Sequence, residues 1–400
     1  MQADTVFAAE EFRARLQAVR TEMAARDIDI ALLSTPENIY YLTGLDHWGY
    51  FAPHLLMVPA DGEMVLITRA MERVTIANQV RNARFEGHDD SETAADMAVR
   101  LLRDRSTKTA LGAGAVEMVA DAVPGEPRAL AMGIESWSAG LPHGLALALK
   151  DALPHVAWRD VTGMVDRLRL VKSPAERDFM RMAARVSDAA CAAAVETIRA
   201  GASEREVAAE CHRAMIAAGG TFPGFGPFIR STARLGEEHT SWTDARIADG
   251  DVVFLELAGC VNRYHAPLGR LVHIGHAPDE ACRMADVCRR AFDAVLGALR
   301  PGARAHEVYA AWQGVVDGAG LSHYRRHHCG YAVGIGFPPS WTGGNTVTGL
   351  RRDSELEILE GMTFHILSWL MGTGAATISS PTPCSWAGRA RRSSPTRPWA

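Results

Sequence analysis

Phe254 to Val272 reads FLELAGCVNRYHAPLGRLV. The apolar runs on either side of Asn262 give two strands, and each carries polar side chains where a core strand should be apolar. Glu256 lies among Phe254, Leu255 and Leu257, and Arg263, Tyr264 and His265 open the second run. An acid in that setting is held for chemistry rather than for solvation. A pair of catalytic metal ions needs several carboxylates to bridge it, and this stretch supplies one. The pattern is therefore read as a carboxylate and imidazole site that works without metal.

Working outward, Ser173-Pro174-Ala175-Glu176 is a capping box with proline at the first helical position. It opens an Ala-rich helix to about Arg199, which Gly201 ends, and Ser203 to Glu206 repeats the signal. Strands are expected at Phe228–Ser231, Val252–Leu257 and Arg263–Ile274, then helices at Asp279–Leu299 and Ala305–Ala319. A glycine-rich segment, Gly330–Gly336, and a strand, Met362–Leu370, follow. Toward the N-terminus, Glu10–Arg26 is helical, with Phe12, Leu16, Val19 and Met23 on one face. Asp29–Leu33 reads as a strand, and Leu55–Pro59 with Glu63–Thr68 flank a hairpin turn at Asp61-Gly62. The expected architecture is α/β: a small domain over residues 1–163 and a second over residues 164–372. Thr373 to Ala400 is rich in Ser, Pro and Arg and has neither helical nor strand period. It reads as an aberrant tail, either disordered or the product of a shifted reading frame that removes a closing strand.

The 400 residues suffice for two domains, and 48% hydrophobic with 22% charged residues is ordinary for a globular enzyme. A net charge of -5 argues against nucleic-acid or membrane-surface binding. Seven scattered cysteines with no C-x-x-C pair indicate neither a disulfide framework nor a zinc knuckle. The early charges and the lack of a long apolar span point to a cytoplasmic protein.

The order of these segments resembles the creatinase and aminopeptidase P-like "pita-bread" family, with a creatinase-type N-terminal domain in front. Asn38–Asp46 (NIYYLTGLD), Lys172–Glu176 (KSPAE), Asp249-Gly250-Asp251 and Glu360-Gly361-Met362 resemble its segments, in order. The family's peptidases hold two metal ions on two Asp, one His and two Glu. At the matching positions this chain has Glu256, Pro267, Tyr331 and Leu367, and the acid of the metal-free creatinases falls on Gly269.

The ectoine hydrolases are a closer resemblance. Glu256, Ala258, Gly259, Arg263, Tyr264, His265, Pro267 and Leu268 match their strand pair, and Gly330, Tyr331, Ala332, Gly334, Pro338, Pro339 and Trp341 match a second segment. Gly361–His365 match a third, and Tyr41–Gly44 with Asp46 and Trp48 a fourth, while His47 and Gly49 depart from it. The resemblance implies a metal-independent hydrolase without cofactor. It opens a C–N bond of a small cyclic amidine, with ectoine going to an N-acetyl-diaminobutyrate. Glu256 is implied as base or nucleophile and His239 as proton shuttle. His265, Tyr331 and His365 orient substrate or donate hydrogen bonds, Arg263 binds it, and Trp48 stacks on the cation, from its own subunit or across a homodimer. The alternatives are a prolidase-like metallopeptidase and an inactive binding protein on the same fold. From the residues alone, His265 also reads as a core histidine, Arg263 as structural, and Arg325–His328 as a solvated turn.

Overall fold

The computed structural model describes residues 5–47, 50–104, 129–344 and 346–370. The chain divides into two compact units, Met1–Arg169 with Gly343–Thr346, and Leu170–Thr342 with Val347–Ala400. The tail expected over 373–400 lies outside the described residues.

The first unit runs α1 (Ala9–Ala24), β1 (Ile30–Leu33), α2 (Pro36–Thr43), β2 (Leu55–Pro59), β3 (Met64–Arg69), α3 (Arg73–Gln79) and β4 (Ala83–His88). It continues with α4 (Ala94–Arg103), β5 (Ala131–Ile134), α5 (His143–Ala152), β6 (Ala157–Asp160) and α6 (Met164–Leu168). The strands form one mixed sheet in the order β4-β3-β2-β1-β5-β6. The hairpin expected at Asp61-Gly62 joins β2 to β3, and Gly62 takes the left-handed conformation at φ +93°. Ile30, Leu32, Leu55, Met57, Val65 and Ile67 bury against Leu101 and Leu102 of α4 and Leu145 and Leu149 of α5.

Asn38, within the NIYYLTGLD stretch, has a structural task. Its amide donates to the buried Glu135, whose carboxylate also accepts the Ser34 and Thr35 N–H groups at 2.6 and 2.8 Å, at the mouth of α2. The Asn38 carbonyl oxygen accepts from Arg169 Nε at 2.8 Å, and Arg169 pairs with Asp166. Those bonds fix α6 to the first unit, so the boundary expected after residue 163 falls instead at Arg169–Leu170.

The second unit runs α7 (Pro174–Thr197), α8 (Glu204–Ala217), β7 (Phe228–Arg230), β8 (Val252–Val261) and β9 (Tyr264–His273). Then come α9 (Asp279–Ala298), α10 (Ala305–Gly318), β10 (Gly330–Ala332) and β11 (Phe364–Ile366). Both capping boxes form: Ser173 with Glu176, and Ser203 with Glu206. Glu176 does a second job, accepting the buried Tyr264 hydroxyl at 2.7 Å and so tying α7 to β9. The turn between β8 and β9 has Asn262 and Arg263 both at positive φ, +46° and +65°, as a two-residue type I′ hairpin requires. This tight turn lets β8 pair through Val261, further than the expected Leu257.

The β8–β9 hairpin has two working faces. Val253, Leu255, Leu257, Leu268 and Val272 pack under α7 and α8. Phe254 and Ala258 face away, toward Phe228, Tyr331, Trp341, Leu367 and Trp369. Backbone bonds continue the layer past β9: His265 N–H to the Gly334 carbonyl, and Gly336 N–H to the Arg263 carbonyl. The strand expected over Met362–Leu370 is shorter, because its partner β10 spans only Gly330–Ala332. No helix among the described residues is long and apolar enough to cross a membrane.

Candidate active site

In the β8–β9 register Glu256 stands opposite Gly269 and Ala258 opposite Pro267, so these residues share the face turned from the helices. Tyr331 and Leu367 belong to the same apolar cluster. Glu256, Pro267, Tyr331 and Leu367 thus line one surface. The carboxyl of Glu256 is 8% exposed and makes no hydrogen bond among the described residues. Burial pushes its pKa up to about 8, and the like charge of Glu238 adds to this, while Arg230 and Arg326 pull it down. Glycine opposite Glu256 makes room for Trp369, whose ring would touch a Cβ at Gly269 at 3.1 Å.

An aromatic wall stands beside this carboxyl. Phe228 pairs with Glu256 across β7 and β8. The Phe228 ring lies 5.6 Å from Trp341, and Phe225 meets Trp341 edge-on at 4.7 Å. The His239 ring sits edge-on to Phe228 at 5.9 Å. His239 is exposed and held at φ +51°, in a loop anchored from below. The fully buried Glu204 of α8 accepts from Ser231, Thr243 and Arg234, and Arg234 also pairs with Glu237. Burial alone would raise the Glu204 pKa, yet these bonds leave it lowered, so its charge is a fixed anchor for the loop.

The other expected residues fall into three groups. Tyr331 and His365 belong with Glu256. The Tyr331 hydroxyl accepts from Trp341 Nε1 at 2.9 Å and shares a bond with His365 Nδ1 at 3.1 Å. Burial and the nearby Glu256 charge raise its pKa. Burial, with His328 beside it, holds His365 down at about 3, so its ring is neutral. His265 and Arg263 are occupied elsewhere. His265 Nε2 accepts the Gly224 N–H at 2.9 Å, and Nδ1 bonds the Arg263 carbonyl at 2.9 Å. Both ring nitrogens are bound to main chain, and the residue clamps the Gly224 loop to the hairpin. Arg263 lies over the Phe337 ring at 4.7 Å, at the turn. Trp48 lies outside the described residues.

Arg230 and Arg326, which flank Glu256 electrostatically, carried no functional reading in the sequence. Neither did His328, which is buried, neutral at about 3 through burial, and edge-on to Tyr331 at 5.5 Å. In the run Arg325–His328, Arg325 and His327 are exposed, as a solvated turn implies, while Arg326 and His328 line the face that bears Glu256. An apolar strand, Phe228–Ile229, leading straight into an arginine was the available signal for Arg230.

The donor set does not suit a pair of divalent ions. Glu256 is the sole carboxylate at the four matched positions, the other three offer proline, tyrosine and leucine, and two guanidinium groups stand nearby. Among the described residues no group of three His, Cys, Asp or Glu side chains is placed to hold a metal.

Residues 178–379 match metallopeptidase family M24, and residues 15–171 match the creatinase/prolidase N-terminal domain. The chain is 28% identical to the ectoine hydrolase of Halomonas elongata over 388 residues, covering 92% of this chain and 92% of that protein. It is 22% identical to a Xaa-Pro dipeptidase of Pyrococcus furiosus over 321 residues, 80% of this chain and 82% of that one. Among solved structures, the prolidase of Pyrococcus horikoshii superposes with a TM-score of 0.74 at 21% identity, over 91% of this chain and 93% of that one. The prolidase of Thermococcus sibiricus does so with a TM-score of 0.77 at 19% identity, over 93% of each. At such identities the superpositions speak for the fold.

Proposed function

The chain belongs to metallopeptidase family M24, a creatinase-type domain preceding a pita-bread catalytic domain, and on that premise we propose that it is a metal-independent hydrolase of a C–N bond in a small cyclic amidine, ectoine first among them. The observation that carries this reading is Glu256: a single buried carboxyl, facing an aromatic wall, where the fold's peptidases gather metal ligands. An amidinium carbon is already electrophilic and needs a nucleophile and a proton donor rather than a Lewis acid. As carboxylate, Glu256 attacks that carbon or takes a proton from a water that does. A C–O bond forms, one C–N bond breaks, and the departing nitrogen takes a proton; with one water consumed, the ring opens to an N-acetylated diamine. His239, at the rim of the wall, is assigned the proton transfer to that nitrogen. Tyr331, held by Trp341 and His365, orients the amidine.

A cationic amidinium beside Glu256 favours the charged carboxylate, so substrate arrival itself prepares the base. Phe228 and Trp341 offer ring faces to the same cation. The working form is taken as a homodimer in the cytoplasm, as the resemblance implies. The test is turnover of ectoine by chelator-treated protein, with the product identified by mass and the oligomeric state measured by light scattering. Undiminished turnover after chelation is expected. Activity on Xaa-Pro dipeptides that appears only with added Mn or Co would replace this reading with the prolidase one.

A further inference from the structure

We propose that Arg230 is the anchor for a carboxylate carried by the substrate, which makes the ligand class a small zwitterion: anionic at one end, with a cationic C–N centre at the other. Arg230 ends β7, two residues from Phe228 on the face that bears Glu256. It is 2% exposed, and its Nε and Nη1 are buried without a hydrogen-bond partner among the described residues. Its guanidinium lies over the Phe254 ring at 4.4 Å. The guanidinium stays charged at any working pH, and burying its donors unpaired is costly. The Phe254 ring stabilises one face of the fork and fixes its plane, while the in-plane N–H groups are left for an acceptor. A carboxylate matches that fork with two parallel bonds.

Among the described residues no acid takes this place: Glu256 and Glu238 act on Arg230 through charge, yet its Nε and Nη1 stay without a hydrogen-bond partner. Arg326 adds a second positive charge beside Glu256, over the Trp369 ring at 5.5 Å and with its Nε also buried and unpartnered among the described residues. A ligand whose carboxylate sits on Arg230 has its other end set against Glu256 and the aromatic wall. Arg230 thereby fixes which carbon the nucleophile meets. The inference rests on reading this face as the substrate site, but not on the identity of the amidine.

The test is calorimetric binding in the Glu256→Gln background, where turnover is suppressed. Three probes are compared: ectoine, the same cyclic amidine lacking its carboxylate, and proline, a ring carboxylate with no amidine. With Arg230 in place, ectoine is expected to bind roughly 10- to 100-fold more tightly than the amidine without carboxylate, the usual range for hydrogen bonds to a charged group. Arg230→Met should erase that difference, and Arg230→Lys should keep part of it. Equal binding of the two amidines with Arg230 intact overturns the proposal, and so does a difference that survives Arg230→Met. If Arg230→Met fails to fold, the comparison of the two amidines decides alone. Should ectoine neither bind nor turn over while proline binds in an Arg230-dependent way, the ectoine reading fails and the anchor stands. If neither carboxylate binds, the anchor fails.

Discussion

Glu256 is a carboxyl that its surroundings keep protonated. With its pKa pushed up to about 8, chiefly by burial, the carboxylate fraction of the free protein grows as pH rises through that value. Because the neutral acid can neither attack nor accept a proton, kcat/KM for the amidine should climb with pH and level off above about 8. A flat profile between pH 6 and 9 would remove Glu256 from the chemistry. Glu256→Gln preserves shape and should lower turnover by several orders of magnitude. His239→Asn should cost roughly 10²–10⁴-fold, with wild-type turnover ruling out proton transfer by this residue. The burial of Glu256 was legible in the sequence because a lone acid among Phe254, Leu255 and Leu257 is conspicuous within a few residues. Arg230 and Arg326 were not, because their burial depends on Phe254 and Trp369, which only the folded sheet brings beneath them. His265 read both as functional and as a core histidine, and the fold binds both its nitrogens to main chain.

At the scale of the element, α7 lies so close on β8 that the strand needs glycine at position 259. A Cβ there would lie 2.3 Å from the Ala183 carbonyl oxygen and 2.7 Å from the Ser187 nitrogen, both backbone atoms of α7. Ser187 reinforces the contact, its hydroxyl accepting the Gly259 N–H at 2.7 Å and donating to the Ala266 carbonyl at 2.6 Å. Gly259→Ala should therefore push the helix off the strand and cost about 1–3 kcal/mol, as overpacking does. Urea unfolding checks this, and an unchanged midpoint would mean that the helix moves freely. The capping boxes that start α7 and α8 were readable because the Ser-x-x-Glu signal is complete within one turn. The length of β8 was not, since it is set by a two-residue turn with Arg263 in a conformation arginine seldom adopts.

The whole molecule carries several buried histidines in the neutral form: His54 and His265 held at about 4, His328 and His365 at about 3, each chiefly by burial. Their folded values lie below the ordinary value of 6.5, so the stability they contribute is present above that pH and is lost as pH falls through the folded values. Glu256, raised to about 8, and the buried Glu135, raised by burial, act in the opposite sense, favouring the fold as pH drops toward the ordinary 4.5. Four rings outweigh two carboxyls, so Tm should fall on acidification from pH 7 toward 4, with net proton uptake on unfolding. Scanning calorimetry in buffers of differing ionisation enthalpy measures both, and a Tm that rises over that interval would contradict these protonation states. At this scale the order of segments sufficed for the two-unit plan. The exact division did not follow from it, because α6 is held to the first unit by the Asn38, Asp166 and Arg169 bonds between residues far apart in the chain. The alternation of β8 has a consequence for descent. Odd positions hold the helices and even positions face the candidate site, so, on the proposed reading, a lineage can exchange one reaction for another by single replacements on the even side while its scaffold stays intact. Insertion or deletion of one residue ahead of Glu256 would trade the two sides, and folding and catalysis would be lost in the same step.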